Sequence, residues 1–422
     1  MRTFWLLLLP SLSFAEPPVH LTLQKAVETA LRQNPSVIEA RHSVEAADAR
    51  IRQARAGYYP QLGFNGIAKL GLSGATNALG LVGLPASPIF RNFADSLNVS
   101  QSIFDFGRTK HRVAAERKLR AAAEADVATA EREVALKVER SYFGLLRAQR
   151  LREVTAEIVR SREATVRQAQ AFYEGQIRSR VDLDLARSSL ARAQLQATEA
   201  ENRVAAAVAA LGYALGGAQD AEYVLEPPDL SVSEPEPVKP LVEEAWRLRA
   251  ELHSLHFERE AAAEQLEFAK SQRKPLLNLA FSGGYARFTN VLARQLLAGG
   301  AGLALPLFTG GRIEGQEEEA EAQLRALESR EESLKQQVAL EIRTAWFQMK
   351  NAIDSLPVLR LQTEYARNAE RLAAERYRER LGSFVELTAA QSGLAEASAN
   401  ESVGLFDVKI AEAELRRAMG RR

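Results

Sequence analysis

The stretch FDFGRTKHRVAAERKLRAAAEADVATAEREVALKVERSYFGLLRAQRLREVTAEIVRSREATVRQAQAFY, Phe104 to Tyr173, decides the fold. From Arg108 onward it holds no proline and one glycine, Gly144, and is rich in Ala, Glu, Arg, Leu and Gln. Proline costs about 3 kcal/mol inside a helix, so a clean stretch of this composition supports a very long one. Val127, Val134, Val138 and Leu145 recur at spacings of 7, 4 and 7, and Leu151, Val154 and Ile158 at 3 and 4. That is the narrow apolar stripe of a coiled coil. Read as one helix, the 66 residues from Arg108 to Tyr173 extend roughly 100 Å at about 1.5 Å per residue. No compact globular domain houses such a helix, so an elongated helical object is expected.

Outside this stretch the period changes. Leu62, Phe64, Gly66, Ala68 and Leu70 alternate with Gly63, Asn65, Ile67 and Lys69, and Leu97, Val99 and Ile103 with Asn98, Ser100 and Ser102. Period two means strands, joined here by a Gly/Ala/Pro-rich loop from about Ser73 to Arg91. After Pro275 the pattern returns: Leu277, Leu279 and Phe281 alternate with Asn278, Ala280 and Ser282, and Leu303, Leu305 and Leu307 with Gly302 and Ala304. The prolines cluster before Phe90 and between Pro227 and Pro240, and after Pro306 only Pro357 follows. A second very long helix is therefore expected after the second hairpin.

The two halves match at an offset of 204. FDFGR (Phe104–Arg108) corresponds to FTGGR (Phe308–Arg312), Tyr142-Phe143 to Trp346-Phe347, Val134 and Val138 to Val338 and Ile342. Tyr173, Ser179 and Asp182 correspond to Tyr377, Ser383 and Glu386, and Leu211, Ala214, Leu215 and Gly216 to Leu415, Ala418, Met419 and Gly420. Upstream of the hairpins the offset is 215, matching Ala54 and Pro60 to Ala269 and Pro275. The expectation is a tandem duplication. Residues 16–216 form the first repeat, with a helix, a β-hairpin 61–104, a long helix 108–174 and a helix 179–216. A Pro-rich linker spans 217–240. The second repeat, 241–422, has a helix, a β-hairpin 276–308, a long helix 312–378 and a helix 383–420.

The remaining composition narrows the function. Lys plus Arg total 55 against 54 Asp plus Glu, so charge gives no reason to expect a nucleic-acid partner. There is no cysteine, which removes disulfides, zinc–thiolate sites, iron–sulfur clusters, a thiol nucleophile and lipid attachment through an N-terminal Cys. The opening MRTFWLLLLPSLSFAEPP carries Arg2, an apolar core Phe4–Leu9, and Ser13 and Ala15 before Glu16. It reads as a signal peptide, residues 1–15, on an exported chain. The longest later apolar run, Leu296–Phe308, is too short and too glycine-rich to span a bilayer as a helix. Membrane entry would have to use strands. Four strands per chain cannot close a barrel, and open edges are not tolerated in hydrocarbon. Two chains would give eight strands and three would give twelve, so a cyclic oligomer is expected.

The opening LTLQKAVETALRQNPSV (Leu21–Val37), the ARAGYYPQL entry to the first hairpin, the doubled F-x-x-G-R exits and the Ala-Leu/Met-Gly repeat ends together resemble the TolC family of outer-membrane efflux and secretion ducts. The resemblance implies a mainly α protein with a membrane β-barrel: a homotrimer whose 12-stranded barrel, four strands per chain, continues into a long α-helical tunnel. It implies a periplasmic adaptor protein, an inner-membrane pump of the RND or ABC type, outer-membrane lipid as surroundings, no cofactor, and no enzymatic activity. In the family the two helix–turn–helix tips close the periplasmic end, with a Tyr, a Gly three positions on and an acid nine positions on. Tyr173 has its acid at Asp182, and Tyr377 at Glu386, but Gln176 and Arg380 stand where the glycines belong. The tip candidates are therefore Tyr173, Arg178, Ser179, Arg180, Asp182, Asp184, Tyr377, Arg380, Ser383 and Glu386. On a three-fold axis each acid becomes a ring of three, and Arg178, Arg180, Arg378 and Arg380 lie close enough in sequence to pair with Asp182, Asp184 or Glu386. The other reading of these charges is a solvated turn.

Other patterns reduce to local structure. Gly107-Arg108 and Gly310-Gly311-Arg312 are the turns leaving the hairpins, not phosphate loops. Gly299-Gly300-Ala301-Gly302 suits close strand packing. His253 and His256 lack further ligands for a metal, and Glu314–Glu321 suits a helix N-terminus. Tyr58, Tyr59, Phe90 and Phe93 are candidates for an aromatic girdle. The competing function is a soluble periplasmic coiled-coil adaptor or scaffold, which would show one helical hairpin between small β-domains. A hydrolase lacks a nucleophile–base constellation. Cargo is not legible.

Overall fold

The computed structural model describes residues 19–72, 89–217, 223–227, 231–288 and 291–421. The expected signal peptide lies outside these residues, as does the expected loop from Ser73 to Pro88. In chain order the elements are β1 (Val19–Leu21), α1 (Leu23–Gln33), α2 (Pro35–Arg55), a 3-10 turn (Ala56–Tyr58), β2 (Gln61–Leu72), β3 (Ile89–Phe104) and α3 (Arg108–Glu174). Then come α4 (Arg180–Leu215), β4 (Tyr223–Leu225), α5 (Val238–Leu248), α6 (Ala250–Ser271), β5 (Leu276–Phe288), β6 (Val291–Ala304), α7 (Arg312–Arg378) and α8 (Phe384–Ala418). No described helix is long and apolar enough to cross a membrane. The chain divides into two compact units, one of residues up to Glu39 with Val127–Arg249 and Lys335–Arg422, the other of Ala40–Asp126 and Ala250–Leu334.

The second unit holds one antiparallel sheet in the order β2-β3-β5-β6. β3 starts at Ile89, inside the segment expected as loop, because Ile89, Phe90 and Arg91 pair with Leu72, Gly71 and Leu70. β6 stops at Ala304, four residues short of the expected Phe308, because its partner β5 begins opposite it at Leu276. Of the glycine cluster only Gly299 is closely packed, a Cβ there lying 2.6 Å from the Phe281 ring; at Gly300 and Gly302 a Cβ would meet nothing within 4 Å among the described residues. Tyr58 and Tyr59 are exposed; the side chains of Phe90 and Phe93, the other girdle candidates, lie outside the described residues.

The first unit is helical, with a short parallel ladder of β1 on β4. β4 and the first turn of α5 lie in the stretch expected as linker. The stripe on α3 faces the core: Val134, Val138 and Leu145 are buried with Leu21, Val37 and Leu211. The single helix expected before each hairpin is broken in two. α1 ends at Asn34, whose Nδ2 donates to the carbonyl of Ala214 at 2.9 Å while its Oδ1 accepts from Ser36 N at 3.0 Å. Pro35 also steers Asn34 away from helical geometry. α5 ends at Arg249, buried at 3%, which donates Nη1 to the carbonyl of Ala418 at 3.0 Å and Nη2 to Glu341 Oε2 at 3.0 Å. α7 runs through Pro357 without ending there.

The halves correspond at the two spacings. Gln61↔Ser100 in one hairpin and Leu276↔Ala304 in the other are related by 215 and 204. So are Asn34–Ala214 and Arg249–Ala418. Tyr142 donates its hydroxyl to Leu21 O at 3.0 Å, and Trp346 its Nε1–H to Glu236 O at 2.8 Å, at the same pair of spacings. The described residues with φ in the left-handed region pair off at 204: Phe106 with Gly310, Gly107 with Gly311, Gln176 with Arg380, Gly216 with Gly420.

Candidate functional site

The two helix–turn–helix tips, α3–α4 and α7–α8, lie in the first unit and have one backbone geometry. In the first, Ile177 N and Arg178 N donate to Phe172 O at 2.8 and 3.2 Å; in the second, Leu381 N and Gly382 N donate to Arg376 O at 2.7 and 3.0 Å. Such wrap-around bonds satisfy the last helical carbonyls and place one residue in the left-handed region. That residue is Gln176 (φ 53°) in one tip and Arg380 (φ 63°) in the other, the positions where the resemblance expects glycine. A left-handed conformation costs a residue with a Cβ about 1–2 kcal/mol. Gln176→Gly and Arg380→Gly are each expected to stabilise their turn by about 0.5–1 kcal/mol once glycine's greater freedom in the unfolded chain is subtracted. Hydrogen exchange at the turn amides checks this: protection should rise, and lowered protection would count against it.

Each tip's second helix begins with a serine cap and an acid three residues on. Ser383 Oγ accepts from Glu386 N at 3.1 Å; Ser179 caps with no side-chain bond, and Asp182 N donates to Ser179 O at 3.2 Å. Ser-x-x-acid is the sequence pattern of a capping box, and a carboxylate there also suits the helix dipole. Asp182 and Glu386 thus hold helix-start positions.

The arginines follow the expected pairing only at Arg180 and Asp184. Glu386 pairs with Arg376 at 3.2 Å, not with Arg378 or Arg380; Arg376 was missed because two more arginines follow it closely and the turn sets which of them faces back. Arg180 pairs with Asp184 at 3.5 Å, both exposed. Among the described residues Arg178 takes no carboxylate. Its Nη2 donates to Gly382 O of the other tip at 2.9 Å, and its guanidinium lies 5.0 Å from the centre of the Tyr377 ring. Tyr377 is fully buried against Phe172 and Phe384, with ring centres 5.8 and 5.6 Å away, whereas Tyr173 is 41% exposed. Burial pushes the Tyr377 hydroxyl pKa up, the Asp182 carboxylate adds to the rise, and Arg178 opposes it. The Tyr377 hydroxyl has no hydrogen-bond partner among the described residues.

Further along the same helices sequence reading missed a buried polar layer. Arg162 on α3, 5% exposed, donates Nη1 to Gln391 Oε1 on α8, and Gln391 Nε2 donates to Thr165 Oγ1 at 3.1 Å. Burial lowers the Arg162 pKa, Glu370 opposes that, and Arg192 adds to it. Its signal was faint: charged residues are so common on these helices that one facing inward does not stand out.

In the second unit the hairpin exits are tight turns. Gly107, Gly310 and Gly311 have φ of 91°, 64° and 84°. Asp105 accepts from Gly107 N at 3.0 Å and Thr109 N at 2.7 Å, starting α3. Burial works against its ionised form, but the bonds from Thr109 and Gly107, with Arg108 nearby, hold its carboxyl below the usual range. Arg108 donates to three carbonyls at the end of α6, while Arg312 is exposed and bonds Gln316 at 3.3 Å. In the acidic run, Glu317 and Glu314 both meet Arg273, at 2.7 and 3.7 Å. Among the described residues no cluster of three or more His, Asp or Glu could hold a metal ion.

A family model described as outer membrane efflux protein matches residues 26–217 and 241–421. Among curated proteins the chain is similar to outer membrane protein TolC of Escherichia coli (strain K12), 24% identical over 366 residues that cover 82% of this chain and 70% of that one. Its fold is similar to that of the outer-membrane channel OprN, with a TM-score of 0.82 at 18% identity over 95% of this chain and 90% of that one. It is also similar to the outer membrane protein VceC from Vibrio cholerae, with a TM-score of 0.79 at 23% identity over 94% and 96%.

Proposed function

We propose that this chain, which belongs to the outer membrane efflux protein family, is the outer-membrane exit duct of a tripartite export system. Proteins of this family are channels and not enzymes. The duct is a homotrimer arisen by tandem duplication, with repeats at 16–216 and 241–422. It conducts passively from a periplasmic adaptor and an inner-membrane RND or ABC-type pump, through a 12-stranded barrel in outer-membrane lipid. The observation that carries this reading is the unfinished sheet. Its outer strands β2 and β6 expose Leu62, Phe64, Leu297 and Leu303 at 68, 69, 80 and 71%. Four such strands satisfy their backbone in lipid only when copies close them into a ring. A soluble periplasmic scaffold has no use for that surface, and membrane fractionation separates the two: recovery in the soluble periplasm would overturn the duct.

The mouth of the duct is the pair of tips, with Asp182 and Glu386 as rings of three. Asp182→Asn combined with Glu386→Gln removes the charge and keeps side chains of the same shape at the helix starts. The expected result is a higher single-channel conductance in planar bilayers, with unchanged assembly. Unchanged conductance would remove both acids from the gate and leave them as capping residues.

A further inference from the structure

We propose that Arg312 is one half of a joint between two copies of this chain. Its guanidinium takes the main-chain carbonyls of the partner subunit's Ala56, Gly57 and Tyr59, beside a β6–β2 ladder of fixed register. The proposal rests on the oligomeric reading above and adds to it a contact and a register.

The joint exists once within the chain. Arg108 donates Nε to Ser271 O at 3.3 Å, and Nη2 to Gln272 O at 3.1 Å and Lys274 O at 2.7 Å. Arg108 directly follows β3, the three carbonyls directly precede β5, and β3 pairs with β5. Clamp and ladder are one structure. Arg312 stands 204 residues after Arg108, in the same place behind β6. Ala56, Gly57 and Tyr59 stand 215 residues before Ser271, Gln272 and Lys274, in the same place ahead of β2. The turn agrees as well: Tyr59 N donates to Ala56 O at 3.1 Å, and Lys274 N to Ser271 O at 3.0 Å.

Within one chain this second clamp stays open. β6 and β2 are the outer strands of the sheet, and among the described residues the Arg312 guanidinium reaches only Gln316. Gln61 Nε2 meets the carbonyls of Ala56 and Tyr59 at 2.9 and 3.2 Å, the two that match the Arg108-bound carbonyls of Ser271 and Lys274. The Tyr59 carbonyl keeps a second lone pair for Arg312, while Ala56 O, which also accepts from Tyr59 N, would exchange Gln61 for Arg312. A guanidinium, with five donors in a planar fork, suits a row of carbonyls as an ammonium does not.

The register follows by the same transposition. Val99↔Phe281, Ser100↔Ala280 and Gln101↔Leu279 become Leu303, Ala304 and Leu305 opposite the partner subunit's Gly66, Asn65 and Phe64. The β3–β5 ladder slips between Ser102 and Phe104, and the residue matching Ser102 is Pro306. Proline belongs at edges and bulges because it cannot donate to a ladder. The sole proline of this strand end thus falls beside the slip, and the residue skipped there, Ile103, corresponds to Leu307. The joint also accounts for β6 ending at Ala304 in one chain: the neighbour that would carry it to Phe308 is a second copy.

The chain has no cysteine, so engineered pairs report unambiguously. Leu303→Cys with Gly66→Cys should cross-link between copies on oxidation, at least tenfold more than Leu303→Cys with Phe64→Cys or Ala68→Cys. Cross-linking at a shifted pair, in a chain that still forms its oligomer, overturns the joint and leaves the oligomeric reading intact. No oligomer and no cross-link at any pair would remove both. Separately, Arg312→Gln and Arg312→Lys should each lower by several degrees the temperature at which the oligomer dissociates in unheated gel samples. Equal dissociation temperatures for both variants and the parent chain overturn the clamp.

Discussion

Gly284→Val is expected to leave no heat-resistant oligomer and little sheet. A Cβ at Gly284 would lie 2.1 Å from the Asp95 carbonyl oxygen, 2.8 Å from Ser96 Cα and 3.0 Å from the Asp95 carbonyl carbon. All three are backbone atoms of β3, so no rotamer change relieves the clash. Ser96 and Gly284 are opposite each other in the ladder that joins the two hairpins. Relief requires opening that ladder, a cost above the roughly 1–3 kcal/mol of ordinary overpacking. The clash begins at the first side-chain carbon, so Gly284→Ala should fail nearly as badly. Unheated gel mobility and circular dichroism measure both variants; parent-like alanine protein would show that the strands leave more room than this.

The second large effect is at Arg249. Arg249→Ala removes a 3%-exposed guanidinium that holds the carbonyl of Ala418 and the carboxylate of Glu341. Breaking a buried pair typically costs about 3–5 kcal/mol. Glu341 keeps Arg417 at 3.1 Å, so about 3 kcal/mol is expected. Arg249→Asn should recover part of it, because Asn34 makes the equivalent bond to Ala214 O at 2.9 Å. Denaturant titration of the folded protein orders the three: parent, asparagine, alanine. An alanine variant within about 0.5 kcal/mol of the parent, the scatter of ordinary surface changes, would mean the joint does not hold this unit together.

Where the fold was readable, one physical signal was enough. The absence of proline and the stripe Val134–Val138–Leu145 found α3, and alternation at Leu62–Phe64 and Leu277–Phe281 found the strands. What stayed hidden depends on distant partners. The break at Asn34 needs a carbonyl 180 residues away. The three-residue strands Val19–Leu21 and Tyr223–Leu225 are too short to show a period and exist only as a pair. At the tips, the residue types and the turn were legible, but not the choice of Arg376 over Arg378 for Glu386, nor Arg178 reaching Gly382. Those depend on helix phase at the turn, which a left-handed residue resets.

The open edges of β2 and β6 carry one more consequence. In the proposed oligomer the sheet is finished by its neighbours and obeys mass action, so dilution itself is a denaturant for it, and one quoted melting temperature has no meaning without a concentration. Newly made copies must therefore find one another before their sticky edges find anything else. Expression level, and not sequence alone, would then set how much of the polypeptide ends in the proposed oligomer and how much in aggregates.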